Sequence, residues 1–341
     1  MTAAFAFAPG LVLRVAGQPA AIAQLRREYG PCEVAQEPAS ASLEVVFGSP
    51  AAWKGPPPEA VAARGSHKTV SWRVTLGNPA DAPLRAWVST GGWPAGFARS
   101  LVQGYVVEPL LSVAAARAGH VLLPAAGIVA DDGLLVIIGR SRAGKSTIAA
   151  RALANGRRVI GDDQVLVDAA GSWRPFPRRL RFYPDLVTAA PAAWNRLGRR
   201  TRAVLRGRRL VAAATRGFVR PSLAVPPAEL GGRWEPDPLP AARIALVERR
   251  AGATSLVVAS ADPECAVAWA REVLAEQRSR LAVIGGAAWA PALRAVADDE
   301  AARLRRAFED VPVISVVVPA GWSAPEGVSR TAVALGLERA L

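Results

Sequence analysis

The sequence predicts an α/β protein in two parts: a small N-terminal α/β module, then a mixed sheet in which a β-hairpin runs directly into a glycine-bounded turn and a helix. Three observations carry this prediction. Short apolar runs and helical patterns alternate along the chain. Two of the runs, Ala126-Gly-Ile-Val-Ala130 and Leu134-Leu-Val-Ile-Ile138, are separated only by Asp131-Asp132-Gly133, a hairpin signature. The second run is followed at once by Gly139-Arg-Ser-Arg-Ala-Gly144-Lys145-Ser146-Thr147.

In chain order, residues 11–15 read as a strand, 20–29 as a short helix stopped at Gly30-Pro31, and 42–47 as a second strand. Residues 48–65, with Gly55-Pro-Pro-Pro58 among them, read as a loop, after which 69–75 and 84–88 alternate like half-buried strands. A helical pattern over 95–118 carries a break or kink at Pro109; Phe97, Leu101, Val102, Tyr105, Val106, Leu110, Leu111 and Val113 are its core face. The boundary is set there, giving residues 1–118 as the N-terminal module with its connecting helix and 119–341 as the second domain. Beyond the hairpin, 145–154 is a helix capped by Asn155-Gly156, 157–160 and 164–167 are short strands, and 242–248 and 311–319 are later strands of the same sheet.

Bulk properties bound the function. A chain of 341 residues, 51% hydrophobic, buries a substantial core. No uninterrupted apolar stretch approaches a membrane-spanning length, and the start lacks the basic region and apolar core of a secretion signal, so the expected location is cytoplasmic. Cys32 and Cys265 read as reduced packing residues, and with only His67 and His120 beside them a His/Cys metal site is not expected. The net charge of +14 is uneven: thirteen arginines fall between Arg174 and Arg220 against the single acid Asp185. Two readings stand for this segment, a solvated helical face or a docking surface for an anionic partner. Sequence-specific nucleic-acid binding is not expected, because no reading motif accompanies the charge.

The turn after residue 138 matches G-x-x-x-x-G-K-[ST], whose chemistry is phosphate binding. Glycines let successive backbone N–H groups turn onto phosphate oxygens, and the following helix presents its positive end to the same anion. Gly139, Ser141, Ala143, Gly144, Lys145, Ser146 and Thr147 are therefore the candidate nucleotide-binding residues, with Lys145 near the terminal phosphates and the Ser146 hydroxyl a Mg2+ ligand. Lysine occurs only at Lys54, Lys68 and Lys145, so its presence in the motif's one obligatory lysine slot is not a by-product of basic composition. ATP and Mg2+ are the expected cofactors. Arg140 and Arg142 in the variable slots are not ranked as catalytic.

The strand after that helix ends in Gly161-Asp162-Asp163. Two adjacent carboxylates beside a phosphate loop can ligate Mg2+ or take a proton from an attacking hydroxyl. Asp131-Asp132 is the same doublet at the far end of the hairpin and reads as a surface turn.

The hairpin, the loop from Gly139 to Thr147, the helix and the Asp162-Asp163 pair together resemble the HPr kinase/phosphorylase superfamily, which shares a fold with phosphoenolpyruvate carboxykinase. The resemblance covers residues 120–185 and implies that Gly144, Lys145 and Ser146 hold ATP and Mg2+, and that Lys145, Asp162 and Asp163 are catalytic, the acid pair supplying metal ligation and the base that deprotonates a serine hydroxyl. It also makes Arg181 a candidate phosphate contact and leaves a homo-oligomer open, since related kinases often form rings. One departure stands out: the slot where many members carry a histidine beside the catalytic acid holds Pro124, with His120 four residues earlier.

The expected function is an ATP-dependent serine kinase acting on a small protein, a peptide or a small molecule, docked in part through residues 174–220. The alternative is a nucleotide-binding interaction protein in which Pro124 marks lost chemistry. No L-S-G-G-Q-like signature supports a transport ATPase, and the glycine spacing does not fit a dinucleotide fold.

Overall fold

The computed structural model describes residues 1–35, 40–48, 60–216, 218 and 222–338, so the Gly55–Pro58 stretch and Arg220 lie outside the described residues. The chain forms two compact units, Met1–Leu122 with Leu274–Leu304, and Leu123–Val273 with Arg305–Leu341. The sequence reading divides the chain at 118/119 and does not anticipate that residues 274–304 join the first segment.

The first unit is built on β1 (Thr2–Ala8), β2 (Leu11–Gly17), β3 (Leu43–Phe47), β4 (Val61–His67), β5 (Val70–Leu76) and β6 (Leu84–Gly92). Their order is β1-β2-β3-β6-β5-β4, parallel at β2–β3 and β3–β6. Helix α1 (Pro19–Tyr29) packs on this sheet, burying Ile22, Leu25 and Tyr29. The expected loop over 48–65 is corrected at its end, where β4 begins at Val61. That strand is patterned weakly in sequence and is held by pairing with β5 along its length; Gly65 is required because a Cβ there would lie 2.3 Å from the Trp72 ring. The helical stretch after β6 divides into α2 (Ala95–Val102), a π-turn at Gln103–Val107 and α3 (Glu108–Arg117). Pro109 has no N–H to complete a regular turn, and the Glu108 N–H reaches the Gln103 carbonyl instead. The short strand β7 (His120–Leu123) follows.

The second unit contains β8 (Ala125–Ala130), β9 (Gly133–Ile138), α4 (Lys145–Ala154), β10 (Val159–Gly161), β11 (Val165–Asp168), β12 (Ser172–Pro175) and β13 (Leu180–Phe182). Short helices α5 (Leu186–Ala189) and α6 (Pro191–Arg196) lead to α7 (Arg199–Ala214), then β14 (Leu223–Val225), β15 (Leu239–Arg250) and β16 (Val257–Ala261). Strand β17 (Val313–Pro319) and helix α9 (Ala324–Ala334) complete it, while helix α8 (Pro263–Phe308) is divided, its residues 274–304 belonging to the first unit. The class is α/β with mixed sheets. The expected hairpin is present, with Ala125 opposite Ile138 and Ala130 opposite Gly133. On its far side β9 pairs in parallel with β15, which pairs in parallel with β17.

Helix α8 was not singled out from sequence. It breaks at Gly286 (φ 54°, ψ −144°), and the ion pairs Glu264–Arg305 at 3.0 Å and Arg278–Glu300 at 2.6 Å run its two halves back alongside each other. Among the described residues this one stretch has the length and composition to cross a membrane, with a mean hydropathy of 1.2 in its most apolar window. Its Arg278 and Glu300 are buried together with Ser112 of α3, whose hydroxyl accepts from Arg278 at 3.0 Å. Cys32 is partly buried, which pushes its thiol pKa up to about 12. Cys265 is exposed, which corrects its reading as a packing residue.

Candidate functional site

The site begins where β9 runs out. Leu134 to Ile138 are buried on both faces of the sheet, so the strand end is fixed and the turn that follows projects from a rigid base. Gly139 sits against β15: a Cβ there would lie 2.7 Å from the Val247 carbonyl oxygen and 3.0 Å from the Ala143 Cβ. Gly144 is left-handed (φ 99°), and Arg142, a non-glycine, is left-handed as well (φ 70°). Left-handed residues at this spacing are of the kind that can turn backbone N–H groups inward as an anion cup, and a left-handed arginine is the kind of backbone strain found at functional loops. The loop closes through Ala143 N–H to the Arg140 carbonyl at 3.2 Å, and α4 starts with the Thr147 and Ile148 N–H groups both donating to the Gly144 carbonyl.

Lys145 is 6% exposed, and its Nζ donates to the Gly139 carbonyl at 2.5 Å and the Arg140 carbonyl at 3.2 Å. The ammonium is thus held inside the loop that a phosphate chain would occupy. Ser141 and Arg142 are exposed at the loop's tip. Arg140 does not face the cup; it pairs with Glu272 of α8 at 2.5 Å and lies 5.9 Å over the Trp269 ring.

The acid pair reaches the same place through topology. Strand β10 pairs antiparallel with β8, and β8 antiparallel with β9, so β9 and β10 point the same way with one strand between them. The segments leaving their ends emerge from one edge of the sheet, roughly 10 Å apart at two strand spacings. Helix α4 bridges them, and its Ile148, Ala149, Ala152 and Leu153 are buried; the small alanines let it lie close to the sheet. Gly127 of β8 is needed for the fit, since a Cβ there would lie 2.2 Å from Ile160 Cγ1. At the top of α4 the Ser146 hydroxyl is 3.4 Å from the Asp162 backbone carbonyl.

The two acids differ. Asp162 is 3% exposed. Burial, and after it the neighbouring Asp163 charge, pushes its pKa up to about 7 against the opposing pull of Arg178 and Ser146. Asp163 is half exposed and accepts from Arg178 at 3.4 Å. A Mg2+–nucleotide fits this donor set: a cup that side chains would fill at Gly139, a buried ammonium, a hydroxyl and two carboxylates. Among the described residues no three His, Cys, Asp or Glu side chains form a metal cluster.

The Asp131-Asp132 doublet lies at the other end of the hairpin, whereas Pro124 precedes Ala125, which pairs with Ile138 just before the loop. Asp131 forms a bidentate pair with Arg157 at 3.0 Å, and its pKa is lowered by that hydrogen bond; Asp132 pairs with Arg243 at 3.5 Å. Arg181 belongs to the two-stranded ribbon β13–β14. His120 opens β7, with Nε2 3.2 Å from the Pro9 carbonyl, and Pro124 falls between β7 and β8. Arg178 is the contact that sequence reasoning missed, because it is one of thirteen arginines in its segment with no spacing to mark it. A cleft of about 440 Å³ lined by Gly156, Arg157, Arg158, Gly231, Gly232 and Arg233 lies at the opposite end of α4 and includes neither the cup nor the acids; the donor chemistry, not cleft size, identifies the site. No family model matches the chain, and a search of curated proteins finds no matching relative.

Proposed function

We propose that this chain is an ATP-dependent phosphotransferase of HPr-kinase-like design, moving the γ-phosphoryl group to a hydroxyl, a serine by preference, on a small protein, peptide or small molecule. The reading rests above all on one observation: the loop after β9 and the acids after β10 leave the same sheet edge, tied by the 3.4 Å approach of Ser146 to Asp162. In this reading the loop N–H groups and Lys145 bind the phosphates, Lys145 exchanging its carbonyl partners for phosphate oxygens. Ser146 and Asp163 would hold Mg2+, which when bound neutralises charge on the transferring group. Asp162, with its proton affinity raised toward neutrality, takes the proton of the acceptor hydroxyl at its carboxylate; a base poised near the working pH is the efficient one. Arg178 orients Asp163. The exposed arginines of α7, which buries only Leu205, offer an acidic part of the acceptor a salt-sensitive docking face.

A second reading, a nucleotide-binding interaction protein without transfer, is favoured by Pro124, which cannot titrate where the related kinases carry a histidine. The test is transfer of labelled γ-phosphate to serine peptides and small alcohols by wild type, Lys145→Ala and Asp162→Asn. Both variants are expected to lose about 100-fold or more in rate. Equal transfer by all three proteins would remove the site from the chemistry, and tight ATP binding with no transfer by wild type would favour the second reading.

A further inference from the structure

The sheet that carries the loop ends in a strand whose residues Val257 to Ser260 are exposed among the described residues. β16 pairs with β17 in unbroken register from Val257↔Val317 to Ala261↔Val313, and it is the outermost strand of the path β9-β15-β17-β16. Its sequence, Val-Val-Ala-Ser-Ala, has no charge, proline or glycine. Val257 is 50% and Val258 44% exposed; since neighbouring residues of a strand point to opposite faces, each face is about half open there. Edge strands present a row of N–H and C=O groups to any passing chain, and proteins ordinarily guard them with charge, proline, a bulge or a covering loop. Asp262, the nearest acid, is engaged in capping α8 through the Glu264 N–H at 2.7 Å.

We propose that β16 is the docking strand for an extended segment of the phosphate acceptor, which adds to it antiparallel and delivers its hydroxyl to the cup from a position C-terminal to the docked residues. The word acceptor rests on the kinase reading above; the docking rests on the edge itself. A second copy is a poor occupant, because a five-residue strip falls far short of the roughly 20–30 residues per side of a stable interface. An extended peptide takes its affinity from main-chain bonds along such a strip.

Register then sets the geometry. Gly139 packs on the Val247 carbonyl, Val247 is opposite Val316, and Val316 is opposite Val258, so the exposed valines are level with the start of the phosphate loop. β17 runs toward the cup end of the sheet and β16 runs away from it. A segment antiparallel to β16 therefore runs toward that end. It lies four strand spacings from β9, roughly 19 Å, a distance that about six extended residues cover.

The probe is a synthetic peptide with a Thr/Val strand followed by a Gly tail and one serine placed about three, about six or about nine residues downstream. Hydrogen exchange of the full-length chain is expected to slow at residues 257–261 when the peptide is added, and the Val257→Lys/Val258→Lys variant is expected to lose this protection. In the same variant kcat/KM for the tethered serine should fall about tenfold or more, the equivalent of one or two main-chain bonds, with ATP affinity unchanged and the shortest tail a poor substrate in both proteins. Equal phosphorylation by wild type and variant, or peptide binding without protection at 257–261, would overturn the proposal. Protection in the absence of peptide that grows with protein concentration, matched by dimer in sedimentation, would assign the edge to a second copy and overturn it as well. Protection at 257–261 with no transfer to any serine would leave the docking strand standing and remove the kinase reading instead.

Discussion

Asp162→Asn is expected to stabilise the protein at neutral and alkaline pH while abolishing phosphoryl transfer. In the folded chain the carboxyl is 3% exposed, and burial pushes its pKa up to about 7 from 3.8. Between these values the folded protein holds a proton that the unfolded chain has released. Stability therefore falls as pH rises through the window and levels off above the folded pKa. Each pH unit of the window is worth ~1.4 kcal/mol, so charging Asp162 in place costs at most ~4 kcal/mol by about pH 8. Asparagine keeps the shape and removes the titration. Urea unfolding of both proteins, without nucleotide, from about pH 4.5 to about pH 8 reads the effect of the Asp162–Asp163 pair, because groups that do not interact with it cancel in the difference. The variant should gain on wild type by ~2–4 kcal/mol across that range, with the steepest change below neutrality. A difference that stays flat with pH would mean that Asp162 titrates like a solvated carboxylate, and the argument for it as a proton acceptor would fail.

Two further outcomes are expected. Gly144→Ala forces a side chain onto φ 99° with its Cβ 3.2 Å from Val328; it should cost ~1–2 kcal/mol of stability and weaken ATP binding in calorimetry, and unchanged affinity would detach the cup's shape from its function. In the first unit, Arg278→Met leaves Glu300, whose pKa burial already raises, without its partner; denaturation should show a loss of ~3–5 kcal/mol, most of it recovered in Arg278→Met/Glu300→Leu.

What could be read from sequence is what local chemistry determines. The Asp131-Asp132-Gly133 reversal, the Asn155-Gly156 cap and the glycine-lysine loop each depend on a few adjacent residues, and their elements stand where expected. The acid pair could be placed because its distance from Lys145 is one helix and one strand. Contacts set by pairing across the chain were not legible. β4 is a strand because β5 binds it, and its own pattern of Ala, Arg, Gly and Ser gives no sign of that. The sequence reading assigns no element to the apolar segment around Gly285-Gly286, and the turn there at a single glycine is fixed by the ion pairs that close the hairpin on either side of it. Arg178 is distinguished from its neighbours only by where Asp163 ends up.

The lysine that locks the loop to itself has a thermodynamic consequence. Because Lys145 bridges the Gly139 and Arg140 carbonyls, the loop is already set before any guest arrives, and on the proposed reading nucleotide association would trade one set of polar partners for another in place of ordering a floppy segment. Calorimetry of nucleotide association should accordingly give a small heat-capacity change, of the size expected for a rigid host and far from the signature of coupled folding.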